Sequence, residues 1–463
     1  MLERVLAHVD DRFAATVDRL KQLVRIPSCS FPGFDHAHVD ASAQDTVAWL
    51  RASGFPDVRI ARLPGVLPYV IAKDHRAGPD RPTLLLYAHH DVQPPLREAL
   101  WRTPVFEPTE IDGRLYARGA ADDKAGIAVH CASAAAWNAV AGAPPINLTV
   151  LIEGEEEIGS PHFAAFLRAH RADLAADCLV IADLGNYDTG LPSLTTSLRG
   201  LVGVEVELRA LRAPLHSGLW GGTVPDPALG LCRLLATLVD GDGRIAIPGL
   251  YDDVRAPTAA EVAAWRRLPY DAEQFARVAG LAAGRGLADP VELHARLWRQ
   301  PALSVNCIQS GVRGQTGNVI MDAAWARIGI RIVPDMDPAR VRALLEAHLR
   351  RHAPSDMELT IVGKSEGGPW ATEPDHPAFA AATRALERGY GVAPVLIGCG
   401  ASIPFVGEMT AALGGIPALL MGIEDPPCGA HAENESLHLG DLRKAIRAQA
   451  ALFAEIGAAL AKR

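Results

Sequence analysis

The sequence predicts an α/β protein: a mostly parallel sheet with helices on both faces, plus an inserted ferredoxin-like domain of β-α-β-β-α-β order. Three observations predict it. Short apolar runs alternate with helical patterns over the first 185 residues, as they do when crossover helices connect parallel strands. The middle of the chain switches to strands with period-2 alternation. A buried strand followed by a helix then returns near the C-terminus.

In chain order, TLLLYAHHD (83–91), INLTVLIEG (146–154) and DCLVIADLG (177–185) read as strands. Continuous apolar runs of this length fit strands covered on both faces. The stretches 123–142 and 160–173 read as helices. GLVGVEVELRALR (200–212) opens the inserted domain. A helix at 225–239, strands SVNCIQSG (304–311) and AAWARIGIRIVP (323–334), a helix after Pro338 and the strand MELTIVGKS (357–365) complete its order. An Ala- and Arg-rich helical excursion occupies 255–300. IPALLMGIE (416–424) is the returning strand and 437–461 its helix. Gly, Pro and Ser cluster near 195–199 and 367–370. The expected division is therefore 1–198, 199–366 and 367–463, the first and third segments forming one domain.

Composition narrows the function. Of 463 residues, 49% are hydrophobic and 21% charged, an ordinary soluble balance that excludes a mainly disordered chain. The net charge of −9 argues against nucleic acid as a partner. No apolar run approaches the roughly 18 residues of a membrane span. The start, MLERVLAHVDDRF, reads as an amphipathic helix and not as a signal peptide. Seven widely spaced cysteines without a CxxC argue for reduced thiols in a cytoplasmic protein, each serving the core.

Chemistry collects where the first-domain strands end. His89-His90-Asp91 follow one strand, Glu153-Gly154-Glu155-Glu156-Glu157 the next, and Asp183 the third. His431 lies in the loop EDPPCGAHAENES after the last, and Asp122-Asp123 precede a helix. Ligands of open α/β sheets bind beyond the carboxyl ends of the strands, so these groups share one crevice. Histidine and carboxylate without thiolate suit zinc, manganese or cobalt. Five ligands with one shared carboxylate fit two ions about 3.5–4 Å apart. Asp122 would bridge, His89 and His431 would each face one ion, and Glu157 and Asp183 would complete the sets. Asp91, two residues from His89, would fix that ring's tautomer. Glu156, beside a ligand but free, would be the general base. Each of these motifs alone is commonplace in loops and helix caps; their coincidence at successive strand ends carries the reading.

The segments LLLYAHHDVQP, GRLYARGAADDKAG, LIEGEEEIGS, LHSGLWGG and GAHAENESL resemble the M20 family of metallopeptidases. The likeness is nearest to the cytosolic nonspecific and carnosine-type dipeptidases. It implies the same metal and base assignments, with a cis peptide after Asp122. It implies that the inserted domain is a lid that also forms a homodimer. His216, from that lid, would polarise the scissile carbonyl in the partner's site. Asn318 and Arg331 would hold the substrate's backbone and carboxylate, and Gly400 and Ser402 would line the pocket. The activity expected is that of a cytoplasmic hydrolase with two divalent ions per chain: zinc first, manganese or cobalt as alternatives. It would cleave the amide bond of dipeptides through a metal-bridging hydroxide and Glu156. Alternatives are an N-acyl-amino-acid deacylase of the acetylornithine deacetylase or aminoacylase type, and a binding protein that has kept the fold without catalysis. A serine hydrolase using Ser217 or Ser402 is rejected, because neither stands in G-x-S-x-G.

Overall fold

Four of the expected strands meet edge to edge. Thr83–His89 lies between Asn147–Glu153 and Cys178–Ile181, and Cys178–Ile181 pairs in turn with Ala418–Met421. All three pairings are parallel, with Leu84 opposite both Leu148 and Cys178, so the carboxyl ends emerge along one rim. The computed structural model describes residues 1–282, 289–315, 317–403 and 405–461. Part of the expected helical excursion (283–288), and Thr316 and Pro404 beside the expected pocket residues, lie outside the described residues.

Antiparallel neighbours extend the parallel centre into a nine-stranded mixed sheet. Tyr69–Asp74 and Asp57–Ala61 continue it on one side. Ser193–Leu198 continues it on the other, carrying Val395–Cys399 in parallel and Trp370–Ala371 antiparallel. Alternation along each strand assigns the two faces. Leu84, Leu86, Ala88, Val150 and Ile152 share one core with the helices Leu2–Val24, Ala37–Ala52, Lys124–Ala141, Pro377–Tyr390 and Leu439–Ala459. Leu85, Tyr87, Leu151 and Ile181 face the other way, towards Phe163–His170 and Phe405–Ala412. Burying a side chain such as Leu contributes about 1.5–3 kcal/mol, so two packed faces strongly fix the strand ends. Among the described residues no helix is long and apolar enough to cross a membrane.

A separate four-stranded antiparallel sheet forms the second unit, in the order Ala302–Gln309, Ala323–Ile332, Gly200–Arg209, Glu358–Gly367. One face is a core of Val202, Val204, Val206 and Leu208 with Ala326, Ile328 and Ile330, closed by Pro227–Ala236 and Pro338–His352. Both helices start with Pro at their first position. Asp226 and Asp337 cap them, accepting bonds from backbone N–H groups. The opposite face is open and lines a groove of about 520 Å³ that includes Ser304, Asn306, Trp325, Arg327 and Arg331. The chain passes between the sheets at Arg199 and again at Gly368–Pro369. We propose that these crossings bound the segments 1–198, 199–366 and 367–463, to within a residue.

The cysteines correct one expectation. All seven are free thiols, and Cys29, Cys131, Cys178 and Cys428 are buried, but Cys232 and Cys307 are exposed and serve no core.

Candidate metal centre

The rim of the parallel sheet gathers the acidic and imidazole groups. His89 closes its strand and is completely buried. Its Nδ1–H donates to the backbone carbonyl of Asp91 at 3.0 Å, leaving the Nε2 lone pair aimed outwards. That Nε2 lies 3.0 Å from Asp122 Oδ1 and 3.7 Å from Asp183 Oδ1. Across the crevice, His431 Nε2 lies 3.1 Å from the other oxygen of Asp122 and 3.4 Å from Glu157 Oε2. His431 adopts φ 62°, a left-handed conformation that residues other than glycine seldom hold. The five side chains thus form two triads that share Asp122, one carboxylate oxygen to each.

Asp91 faces both His89 and the acidic turn, more than its spacing implies. Its carboxylate is 3.5 Å from His89 Nδ1, farther than its own carbonyl. The same carboxylate accepts the backbone N–H of Glu156 at 3.2 Å, that of Glu157 at 3.1 Å, and the Ser30 hydroxyl at 2.7 Å. It therefore sets the turn that presents Glu156 and Glu157. The three consecutive acids separate cleanly. Glu155 turns back, accepting from Leu67 N at 3.0 Å and lying 3.0 Å from His162 Nδ1. Glu157 Oε2 accepts from Gln93 Nε2 at 2.7 Å, while its Oε1 is buried without a partner.

The Asp122–Asp123 peptide is cis. The segment around it hangs on Glu435, which is fully buried. Glu435 accepts from Arg118 Nη1 at 2.7 Å, and from the backbone N–H groups of Gly119, Ala121 and Asp122 at 2.9, 2.9 and 3.1 Å. Asp123 caps the helix Lys124–Ala141 through Gly126 N and also accepts from His89 N. Sequence reasoning missed Glu435, Ser30 and Gln93. Glu435 stands four residues beyond His431 in the loop already singled out, and that proximity was the available signal.

Electrostatics shows what this set requires. Burial raises the carboxyls of Glu156 and Asp183, with neighbouring acids adding to it. Burial, then Asp122 and Glu156, raises Glu157 well above the carboxylate range. Burial would raise Asp122 too, but bonds from His431 and His89 hold it low. Burial opposes protonation of His89, yet Asp183 and Asp122 carry its pKa well above the usual value. Acceptor atoms facing each other at these distances need protons or cations between them, and a divalent ion removes the conflict. The lone pair of His89, the unpartnered oxygen of Glu157 and the split oxygens of Asp122 fit such ions. His89, Asp122 and Glu157 converge within 4.8 Å, as do Asp122, Asp183 and Glu424.

The remaining expected residues fall into two places. Arg331 Nη1 donates to Ser402 Oγ at 2.7 Å, and Arg199 Nε donates to the Gly400 carbonyl at 2.9 Å. Arg331, Ser402 and Gly400 thus meet where the second sheet touches the loop after Val395–Cys399, together with the unanticipated Arg199. His216 and Asn318 lie on a two-stranded ribbon, Leu215–His216 with Val319–Ile320, and both are exposed. His216 Nδ1 accepts from its own Gly218 N at 3.1 Å, and Ser217 N donates to the Asn318 carbonyl at 2.8 Å. None of these contacts joins the ribbon to the metal cluster.

Comparison with known proteins agrees with this geometry. Residues 85–455 match the model of peptidase family M20/M25/M40. The chain is 32% identical over 384 residues to the cysteinylglycine-S-conjugate dipeptidase of Corynebacterium striatum, covering 82% of each. It is 30% identical over 461 residues to the Cys-Gly metallodipeptidase dug1 of Schizosaccharomyces pombe, covering 96% of each. The crystal structure of human carnosine dipeptidase 1 superposes with a TM-score of 0.87 at 26% identity, covering 99% of both chains. The chain belongs to peptidase family M20/M25/M40.

Proposed function

We propose that this family member is a metal-dependent dipeptidase, in which His89, Asp122 and Asp183 hold one divalent ion and Asp122, Glu157 and His431 a second. The observation that carries the reading is the pair of triads sharing Asp122, with a different oxygen turned to each histidine. Zinc suits these donors, and manganese or cobalt could replace it. Two bound cations would acidify a water and stabilise negative charge developing on the scissile carbonyl.

The chain's own groups divide the remaining work. Glu156, at the mouth of the acidic turn, takes a proton from the attacking water and passes it to the leaving amine. Asp91 holds the turn that aims it. Arg331 receives the substrate's terminal carboxylate, its planar fork matching two oxygens. Ser402 and Gly400 border that end, and Asn318 holds the peptide backbone. His216 donates to the carbonyl oxygen as it becomes an oxyanion. Its exposed position, away from the cluster, supports supply from a second copy in a homodimer formed through the inserted domain. Exposed Val305 and Ile308 on the outer strand Ala302–Gln309 offer an edge for that contact.

Dipeptide specificity is favoured over deacylation by the dipeptidase relatives that match nearly full length. The test is a panel of dipeptides and matched N-acyl amino acids, assayed with added zinc, manganese or cobalt after removal of endogenous metal. Faster turnover of the dipeptides supports the reading. Preference for the acylated set would reassign the enzyme as a deacylase, and inactivity on both would favour a binding protein.

A further inference from the structure

Glu424 is an acid at the centre without a role in the proposed reaction. Its position follows from the sheet. Cys178–Ile181 and Ala418–Met421 run in parallel, with Leu420 opposite Ile181. The loops leaving them stay paired: Ile423 N donates to the Leu184 carbonyl at 3.0 Å, and Asn186 N to the Glu424 carbonyl at 2.8 Å. Asp183 and Glu424 are thereby carried side by side into one crevice.

The next residue shows the contrast. The Asp425 carboxylate is fully engaged: Arg114 donates to its two oxygens at 2.6 and 2.7 Å, and Thr189 Oγ1 donates at 2.7 Å. Adjacent residues of an extended segment point to opposite sides, so Glu424 turns the other way. There, an oxygen of Glu424, one of Asp122 and one of Asp183 lie within 4.8 Å of one another. Packing carboxylates this closely without a counter-charge is strongly unfavourable. Two oxygens that each lie about 2.1 Å from a shared ion are at most about 4.2 Å apart, so this spacing is close to that of co-ligands. Two observations beyond the acidic cluster point to the same ligand class. The buried His89 aims its Nε2 at Asp122 and Asp183, and across Asp122, on the side of the second ion, the buried Oε1 of Glu157 has no hydrogen-bond partner among the described residues.

Resting on the two-ion reading above, we propose that Glu424 is a sixth protein ligand, serving the ion on the His89 side of Asp122. The two positions are then unequal. One offers His89 with three carboxylates, the other His431 with two. More oxygen and more negative charge make the first position the tighter, and the better suited to a hard ion such as manganese.

The test uses purified full-length enzyme stripped of metal and titrated with Mn²⁺ alone, followed by calorimetry and by electron paramagnetic resonance. The wild type should take up two ions per chain and give the spectrum of a coupled pair. Glu424→Gln keeps the shape and removes the charge. It should weaken one Mn²⁺ by about tenfold or more, at least what losing a supporting group costs a metal site, while the second ion changes little. The coupled spectrum should give way to that of a single ion at sub-saturating metal. Glu424→Asp, which keeps the charge on a shorter arm, should fall between. If Glu424→Gln binds both ions as the wild type does, the proposal fails while the two-ion reading stands. A raised KM confined to substrates with a free amine would then place Glu424 on the substrate's ammonium. Equal weakening of both ions together with a lowered Tm would make it a scaffold residue and also overturn the proposal. A wild type that binds no Mn²⁺ would remove the two-ion reading itself.

Discussion

Two histidines, one on a loop and one on a short ribbon, define the contrast between the two halves of this molecule. His431 leans into the rim of the parallel sheet, 3.1 Å from Asp122, in a backbone conformation that only its surroundings can hold. His216 stands exposed on a short ribbon, paired with Val319, and among the described residues its ring accepts only from the N–H of its own turn, at Gly218. The first belongs to a site finished within one chain, because four strand ends and the Glu435 anchor leave it nowhere else to go. The second lies on an exposed ribbon that no described contact joins to the rim. Packing within one chain therefore accounts for the gathered acids and histidines of the rim but not for the ribbon, and under the proposed function perturbing the two regions should produce different signatures.

The largest effect should come from emptying the rim. Removing divalent metal with a strong chelator should abolish turnover, and adding zinc back should restore it. The unfolding midpoint should fall as well, since an ion present at 100 times its Kd stabilises the fold by about 2.7 kcal/mol. Full activity in metal-free enzyme, checked by elemental analysis, would break the comparison at its base.

Next is the acidic turn. Glu156→Gln should lower kcat by about 10²–10⁴-fold with both ions retained, because only proton transfer is lost. Glu157→Gln should instead release metal. Glu155→Gln should leave turnover nearly intact, since Glu155 is turned back towards Leu67 N and His162. Loss of turnover in the Glu155 variant alone would shift the base by one residue.

Glu435 then tests whether the rim is rigid for the reason given. Glu435→Ala leaves Arg118 buried without its partner and frees three backbone N–H groups. Breaking a buried ion pair on one side typically costs about 3–5 kcal/mol, which urea unfolding would measure. An unchanged unfolding curve would mean that the Asp122 segment is held by something else.

A smaller loss is expected where the second sheet touches the loop after Val395–Cys399. Arg331→Ala should raise KM for substrates with a free terminal carboxylate by about 10–100-fold, the worth of a charged hydrogen bond. Substrates amidated at that end should be poor for the wild type and indifferent to the change. Equal losses on both would mean that Arg331 serves only to hold Ser402, to which it donates.

These regions also differed in how much could be read from residues alone. The buried strands were plain because both faces are buried over four to seven mostly apolar residues, and His89 and Asp183 could be placed from the ends of those runs. The strands of the second sheet announced themselves by alternation, as Val202, Val204, Val206 and Leu208 face the core. Elements of two or three residues, such as Thr109–Ile111, Arg114–Tyr116 and Leu215–His216, carry too little periodicity to register. The roles of Glu435 and Glu424 were hidden for another reason, even though both lie in the singled-out loop. Nothing local distinguishes an acid that collects backbone N–H groups, or one that faces other acids, from an acid in a solvated loop; only the pairing of distant strands decides it. Asp91 shows the same limit: its spacing pointed to His89, whose Nδ1 its carboxylate approaches to 3.5 Å, but not to Glu156 N and Glu157 N, which the same carboxylate accepts.

The smallest expected signal is the one that bears most directly on the exposed ribbon. If His216 serves the partner's site, then His216→Ala and Glu156→Ala homodimers should each be nearly inactive, for separate reasons. Co-expression or joint refolding produces mixed dimers. In a mixed dimer, one site combines the intact Glu156 of the first chain with the intact His216 of the second, and the other site lacks both. Random association makes about half the dimers mixed, so about a quarter of wild-type activity should return, given two-fold symmetry. The two parents differ in what they lose: Glu156→Ala removes the proton shuttle inside the rim, whereas His216→Ala removes a group that only assembly can deliver. Dilution should therefore dissociate activity in the mixture and in the wild type alike, without loss of bound metal. No recovery in a sample shown to contain mixed dimers would place His216 in its own chain's site or outside catalysis, and the ribbon would need another occupant.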